Sequence, residues 1–137
     1  MSKIIPIRTE ADLVGYLTRY PVDVAFGSEP PEVVFDRYHC EDFLMVNDGV
    51  PLDRQRLIAH VRPARKRATA VEVEVHDAVV GDGHAAARYT LTATMRKGSP
   101  IVTEIRAFST LAEDGRLLRT EQFTDIALAQ PPALLGK

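Results

Sequence analysis

A chain of 137 residues with 45% hydrophobic and 26% charged side chains has the composition of an ordinary folded protein, long enough for one core and too short for two comfortable ones. Seventeen basic against nineteen acidic side chains leave a formal net charge of -2, so no overall electrostatic footprint points to nucleic acid or an anionic membrane as partner. Cys40 is the only cysteine, which rules out an intrachain disulfide and fits a reducing cytoplasm.

The opening MSKIIPIRTEADL carries one lysine and a short apolar segment broken by Pro6, too brief for a secretory signal or a membrane span. The expectation is one soluble, cytoplasmic domain over 1–137, with its core at about 9–128 and a loosely held tail at 129–137. Thr9-Glu10-Ala11-Asp12 reads as a helix start, with Thr9 able to cap the first-turn amides and acids near the positive end. Leu13, Val14, Leu17 and Tyr20 follow at helical spacing, with Tyr16 beside them on the surface, and Pro21 predicts an end or a kink. Ser28-Glu29-Pro30-Pro31 is a second start signal, continued by Val33, Val34, Arg37 and Tyr38 toward Cys40. Phe43-Leu44-Met45-Val46 reads as a strand closed by the turn Asn47-Asp48-Gly49. Asp53 to Val61 returns to helical spacing, and Pro63 closes or bends it.

From there the period changes from helical to alternating. Val71, Val73 and Val75 alternate with Glu72, Glu74 and His76. Gly81-Asp82-Gly83 turns the chain into a strand over Ala85–Met95, and Lys97-Gly98-Ser99-Pro100 into one over Ile101–Leu111. Glu113-Asp114-Gly115 leads to the last, Leu117–Leu128. Short turns between consecutive strands predict an antiparallel meander, and helices segregated from such a sheet give an α+β fold.

Within TEIRAF (103–108), Glu104 and Arg106 fall on one face and Ile105 and Ala107 on the other. Two readings stay open: the charged pair looks into a pocket, or it is a solvated pair worth well under ~1 kcal/mol while Ile105 and Ala107 face the core. His39, His60, His76 and His84 lack the close spacing of a metal site, so no metal is expected. Gly81-Asp82-Gly83 is a hairpin turn rather than a nucleotide loop, and the basic run Arg62–Arg67 reads as the wet side and end of a helix.

FDRYHCEDFLMVNDG, a following helix, VEVEVHDAVVGDGHAAARYTLTATM and TEIRAFSTLAEDGRLLRTEQFTDIAL together resemble a SnoaL-like domain of the nuclear transport factor 2-like superfamily. The likeness covers about residues 9 to 128 and rests on element order, on the Asp-Gly-Arg turn and on a final strand closing at Asp125. It implies a curved antiparallel sheet wrapped around about three helices, a cone with an internal pocket, and a homodimer formed through sheet surfaces. Members include polyketide cyclases, ketosteroid isomerase, scytalone dehydratase, limonene epoxide hydrolase and pocket proteins without known activity, so fold alone does not settle function.

Carried over residue by residue, the known catalytic sets are incomplete here. The ketosteroid isomerase base matches Asn47, with Asp48, a turn residue, beside it; its oxyanion aspartic acid matches Arg106, and its tyrosine Tyr16 or Tyr20. The epoxide hydrolase carboxylate falls at Gln122, and its arginine-x-aspartate pair at Arg88 and Thr90. The cyclase carboxylate, near Phe123, is absent, and the dehydratase histidine pair has no counterpart. What remains is a catalytic set of Glu104 as general base, Arg106 to bind a carboxylate or an enolate-like oxygen and Tyr16 to orient the ligand, with Asn47, Phe108, Gln122 and Arg88 as ligand-binding groups. The resemblance then implies cofactor-independent proton transfer, as in isomerisation, cyclisation or dehydration, on a small hydrophobic, oxygen-bearing metabolite. The alternative is a non-catalytic ligand-binding or dimerisation module of the same fold.

Overall fold

The computed structural model of the chain describes residues 3–127. Helices α1 (Glu10–Phe26) and α2 (Pro31–Tyr38) lead into strands β1 (His39–Asn47) and β2 (Val50–Asp53). Two short helices follow, α3 (Arg54–Ala59) and α4 (Val61–Arg67), and then β3 (Ala68–Gly81), β4 (His84–Met95), β5 (Ile101–Leu111) and β6 (Leu117–Ala127). Leu128 and the 129–137 tail lie outside the described residues. No described helix is long and apolar enough to cross a membrane.

Thr9 starts α1 through a reciprocal capping box: its hydroxyl accepts the Asp12 N–H at 3.1 Å, and the Asp12 carboxylate accepts the Thr9 N–H at 3.0 Å. The expected break at Pro21 does not occur, and α1 continues to Phe26. Proline removes one helical hydrogen bond, but Leu17 and Val24 on either side of it are buried, and that packing holds the helix together. Arg65 of α4 then caps its end, donating from Nη2 to the Val24 carbonyl at 3.1 Å and from Nε to that of Ala25. The helix expected over Asp53–Val61 is two pieces broken at His60, and Pro63 sits in the first turn of α4, where its missing N–H would be unpaired anyway.

The sheet runs β2-β1-β6-β5-β4-β3. Every neighbouring pair is antiparallel except β1 and β6. The expected antiparallel meander is present as β3–β6, the parallel pair makes the sheet as a whole mixed, and β2 is a strand the sequence patterns did not announce. The parallel contact follows from topology, since β6 ends the meander beside β1 and runs the same way; β2 follows from the two-residue turn at Asp48-Gly49, which folds the chain back on β1. In the turn before β6, Gly115 (φ +87°) lies so near Pro6 that an added Cβ would come within 2.5 Å of the Pro6 ring. Ile7 donates its N–H to the Gly115 carbonyl at 2.8 Å and buries its side chain with Leu117 and Phe43.

Which side of each strand faces the helices is set by register. Tyr89 lies opposite Ile105, and Ala87 opposite Ala107. All four are buried, in one cluster with Leu13 and Leu17 of α1 and Phe35 of α2. The concave face of the sheet is therefore covered by helices, and the convex face is open to solvent.

Candidate functional site

Between α1 and the concave face lies a cavity of about 400 Å³, within the usual range for small-molecule sites. It exists because the inner positions of β4 and β5 opposite α1 include Ala85, Ala87 and Ala107, where larger side chains would have closed the gap. Leu17, Phe43, Leu91 and Ile105 give it apolar walls, and His60, at the α3–α4 break, also lines it. No Asp, Glu, Lys or Arg lines it among the described residues. Its proton-handling groups are tyrosines and histidines.

The most constrained of these is His39, 1% exposed at the junction of α2 and β1. Its Nδ1 lies 2.8 Å from the Phe35 carbonyl oxygen. A carbonyl can only accept, so Nδ1 carries the proton and, in the neutral ring, Nε2 presents its lone pair. Tyr16 Oη lies 2.8 Å from that Nε2 and donates to it. The imidazole is stacked on Phe35 with ring centres 4.0 Å apart and edge-on to Phe43 at 4.7 Å. Burial pushes its pKa down from 6.5 to about 4, only partly opposed by the Phe35 carbonyl and by Asp36. His39 is thus neutral at physiological pH. Burial, reinforced by Tyr20, Tyr89 and Tyr38, raises the Tyr16 phenol well above its ordinary value, so Tyr16 keeps its proton. With that proton committed to His39, the Tyr16 oxygen offers the cavity an acceptor. Tyr16 therefore lines the interior, not the surface where helical spacing alone put it.

Deeper polar contacts come from paired strands. Gln122 lies opposite Asn47 in β1 and opposite Ala107 in β5. Its Nε2 donates to Asn47 Oδ1 at 2.9 Å, which fixes the amide and leaves Oε1 an acceptor without a partner among the described residues. Ser109 and Thr120, also opposite each other, share a hydrogen bond of 2.8 Å. Gln122, Ser109 and Thr120 line the cavity; Asn47 stands behind Gln122 and orients it.

The other expected site residues are placed elsewhere. Because Ile105 and Ala107 occupy the buried ladder with Tyr89 and Ala87, Glu104, Arg106 and Phe108 must project from the convex face. Arg106 comes no closer than 3.9 Å to Asp125, and the two side chains are 59% and 81% exposed. Phe108 is 55% exposed. Arg88, opposite Arg106, pairs with Asp77 at 2.9 Å on the same outer face. The expectation that Glu104, Arg106 and Phe108 look into the cone is thereby corrected; of the two readings of TEIRAF, the outward one is observed, with Ile105 and Ala107 facing the core and Asp125, not Glu104, near Arg106. His39, which motif comparison passed over, takes the central place. Its only local sequence signal is Phe35 four residues earlier, one helical turn away.

No family model matches the chain, and no curated protein does. Solved structures do resemble it. A provisionally assigned SnoaL-like polyketide cyclase from Jannaschia is 17% identical with a TM-score of 0.64, covering 85% of this chain and 85% of that one. IdmH, a provisionally assigned polyketide cyclase from Streptomyces antibioticus, is 16% identical with a TM-score of 0.62, covering 93% and 99%. A protein with a ketosteroid isomerase-like fold from Catenulispora acidiphila, solved with trimethylamine, is 9% identical with a TM-score of 0.60, covering 80% and 82%. At such identities the likeness is one of fold, and the chain has the α+β fold of SnoaL-like polyketide cyclases.

Proposed function

We propose that the cavity binds a small hydrophobic molecule carrying a hydroxyl, which donates to the Tyr16 oxygen while the molecule's apolar body fills the space left by the alanines. The observation that carries this is the Tyr16–His39 contact of 2.8 Å inside an uncharged, apolar-walled cavity. Gln122, held by Asn47, supplies a second acceptor. Small-molecule binding also fits the company of the fold, which includes a structure solved with trimethylamine.

Naphthol and naphthalene, followed by displacement of the neutral dye aminoanthracene, test the idea. Naphthol is expected to bind more tightly than naphthalene, and Tyr16→Phe to erase most of that difference, on the order of tenfold. If neither compound displaces the dye, the cavity is not a binding site.

The same contact supports a second, catalytic reading. A ligand O–H could pass its proton to Tyr16 as Tyr16 passes its own to His39 Nε2, leaving an oxyanion beside an imidazolium. With the His39 pKa near 4, forming the imidazolium at pH 7 costs about 4 kcal/mol, which the adjacent anion would have to offset. Isomerisation, cyclisation or dehydration would then proceed through this pair rather than through a carboxylate. His39→Gln abolishing turnover while retaining binding would support catalysis; unchanged turnover would dismiss it.

A homodimer and a cytoplasmic setting complete the reading. The convex face carries Phe108 and Phe123, their rings 6.4 Å apart and both exposed, an apolar patch suited to a second copy. Cys40 is buried and unpaired, which a reducing compartment tolerates.

A further inference from the structure

Charge is not spread evenly over this chain. The segments VRPARKRATA (61–70) and TATMRKGSP (92–100) contain no acid but hold Arg62, Arg65, Lys66, Arg67, Arg96 and Lys97, against a chain total of -2. The pairing of β3 and β4 sets the two segments side by side. Ala68 lies opposite Met95, and the Arg96 N–H donates to the Arg67 carbonyl at 2.9 Å. None of these cations is in an ion pair among the described residues. This is a solvated helix face only in part, because two of the arginines are held in place. Arg65, half-buried, spends Nε and Nη2 on the Ala25 and Val24 carbonyls. Arg96 spends Nε on the Lys66 carbonyl at 2.8 Å. Among the described residues, Arg65 Nη1 and both Arg96 Nη groups make no hydrogen bond, and carbonyl oxygens are the only acceptors either guanidinium has.

The two arginines flank a groove of about 410 Å³ with Gly27 and Thr69. Ala25, Phe26 and Ala68 line both this groove and the main cavity. An apolar cavity without a charged group thus adjoins, across three shared residues, a recess with two fixed and uncompensated guanidinium groups. We infer that Arg65 and Arg96 form an anion subsite, so that the ligand is an amphiphile: an apolar body in the cavity and a carboxylate or phosphate in the groove between the arginines. Guanidinium matches either head group, because its fork of donors meets two oxygens at once. The neighbouring Lys66, Arg67 and Lys97 raise the local potential that draws the anion in. This inference rests on the cavity being a binding site.

Decanol, decanoate, decyl phosphate and inorganic phosphate, each competed against aminoanthracene on the full chain, separate the possibilities. Decanoate and decyl phosphate are expected to bind about tenfold or more tightly than decanol at low salt, with the margin shrinking at high salt. The better of the two identifies the head group. Inorganic phosphate alone should displace little dye, since it lacks the apolar body. Arg96→Glu, on an exposed side chain, should remove the margin while leaving decanol binding unchanged. Arg65→Gln is the second variant, with dye binding reporting that the cavity is intact. Equal affinities for decanol and the two anions, in wild type and Arg96→Glu alike, would overturn the subsite and leave the cavity reading standing. So would a preference for anions that neither variant alters, since the head group would then be held elsewhere. Displacement by none of the compounds would overturn the subsite together with the cavity reading.

Discussion

Tyr16 donates its hydroxyl proton to Nε2 of His39 across 2.8 Å, and it does so because the other ring nitrogen is committed to the Phe35 carbonyl. Two residues 23 positions apart thereby fix each other's proton: the carbonyl selects the tautomer, the tautomer selects the direction of the hydroxyl, and the hydroxyl leaves its oxygen as an acceptor toward the cavity. A buried imidazole with both nitrogens satisfied costs little to keep neutral and much to charge.

Tyr16→Phe removes the donor and leaves Nε2 of His39 buried without a partner. Such a group costs about 1–3 kcal/mol, and urea denaturation is expected to show a loss in that range. A variant as stable as wild type would mean that water or another donor replaces the phenol.

Acid sensitivity should carry the mark of His39. Its pKa is about 4 in the folded chain against 6.5 ordinarily, so between these values the unfolded state binds more protons. Stability is then complete above pH 6.5 and falls as pH drops toward 4, by roughly 3 kcal/mol in total. His39→Gln should flatten that slope between pH 6.5 and about 4.5, whatever it does to stability at neutral pH. An unchanged slope would place the titrating group elsewhere.

Filling the cavity should separate binding from folding. Ala107→Leu adds bulk at a buried inner position opposite Gln122, and dye binding is expected to disappear. Where space already exists, the added carbons fill it rather than overpack the core, so the loss of stability should stay below the roughly 1–3 kcal/mol that small-to-large changes cost in a filled core. Retained dye binding would show that the dye sits elsewhere.

Glu104→Gln and Arg106→Ala are expected to leave both cavity binding and stability within about 0.5 kcal/mol of wild type. Their side chains are exposed on the convex face, and Arg106 is 3.9 Å from its nearest carboxylate. A tenfold loss of cavity binding in either variant would contradict the register of β5 described above.

The convex patch gives a test of assembly. Phe108→Glu together with Phe123→Glu should turn a dimer into a monomer by sedimentation, since like charges would replace the facing rings. If wild type is itself monomeric at micromolar concentration, the patch has another purpose.

Most of the order of elements was legible from the residues alone; β2 and the break at His60 that divides α3 from α4 were not. The Thr9 cap, the Pro30-Pro31 helix start, the turns at Asn47-Asp48-Gly49 and Gly81-Asp82-Gly83, and the alternation through β3, β4 and β5 are local signals, set by backbone sterics and by neighbours within a few residues. Local signals also explain the misreadings. Pro21 is a breaker by propensity, yet buried neighbours on the same helix outweigh it. In TEIRAF, alternation separates Glu104 and Arg106 from Ile105 and Ala107 but is symmetric between in and out. Only the ladder with Tyr89 and Ala87, packed under α1, decides which set is buried, because a strand has no preferred face until something covers one. His39 was invisible for the same reason: its partner Tyr16 is on another element, and its other partner is a main-chain carbonyl. The parallel contact of β1 with β6, which joins Asn47 to Gln122, likewise depends on where the meander ends. Composition and periodicity determined the elements and their apolar content. The cavity, the proton arrangement within it and the outward turn of the charged pair were decided by tertiary packing, which alone brings distant side chains within hydrogen-bonding range and removes water from between them.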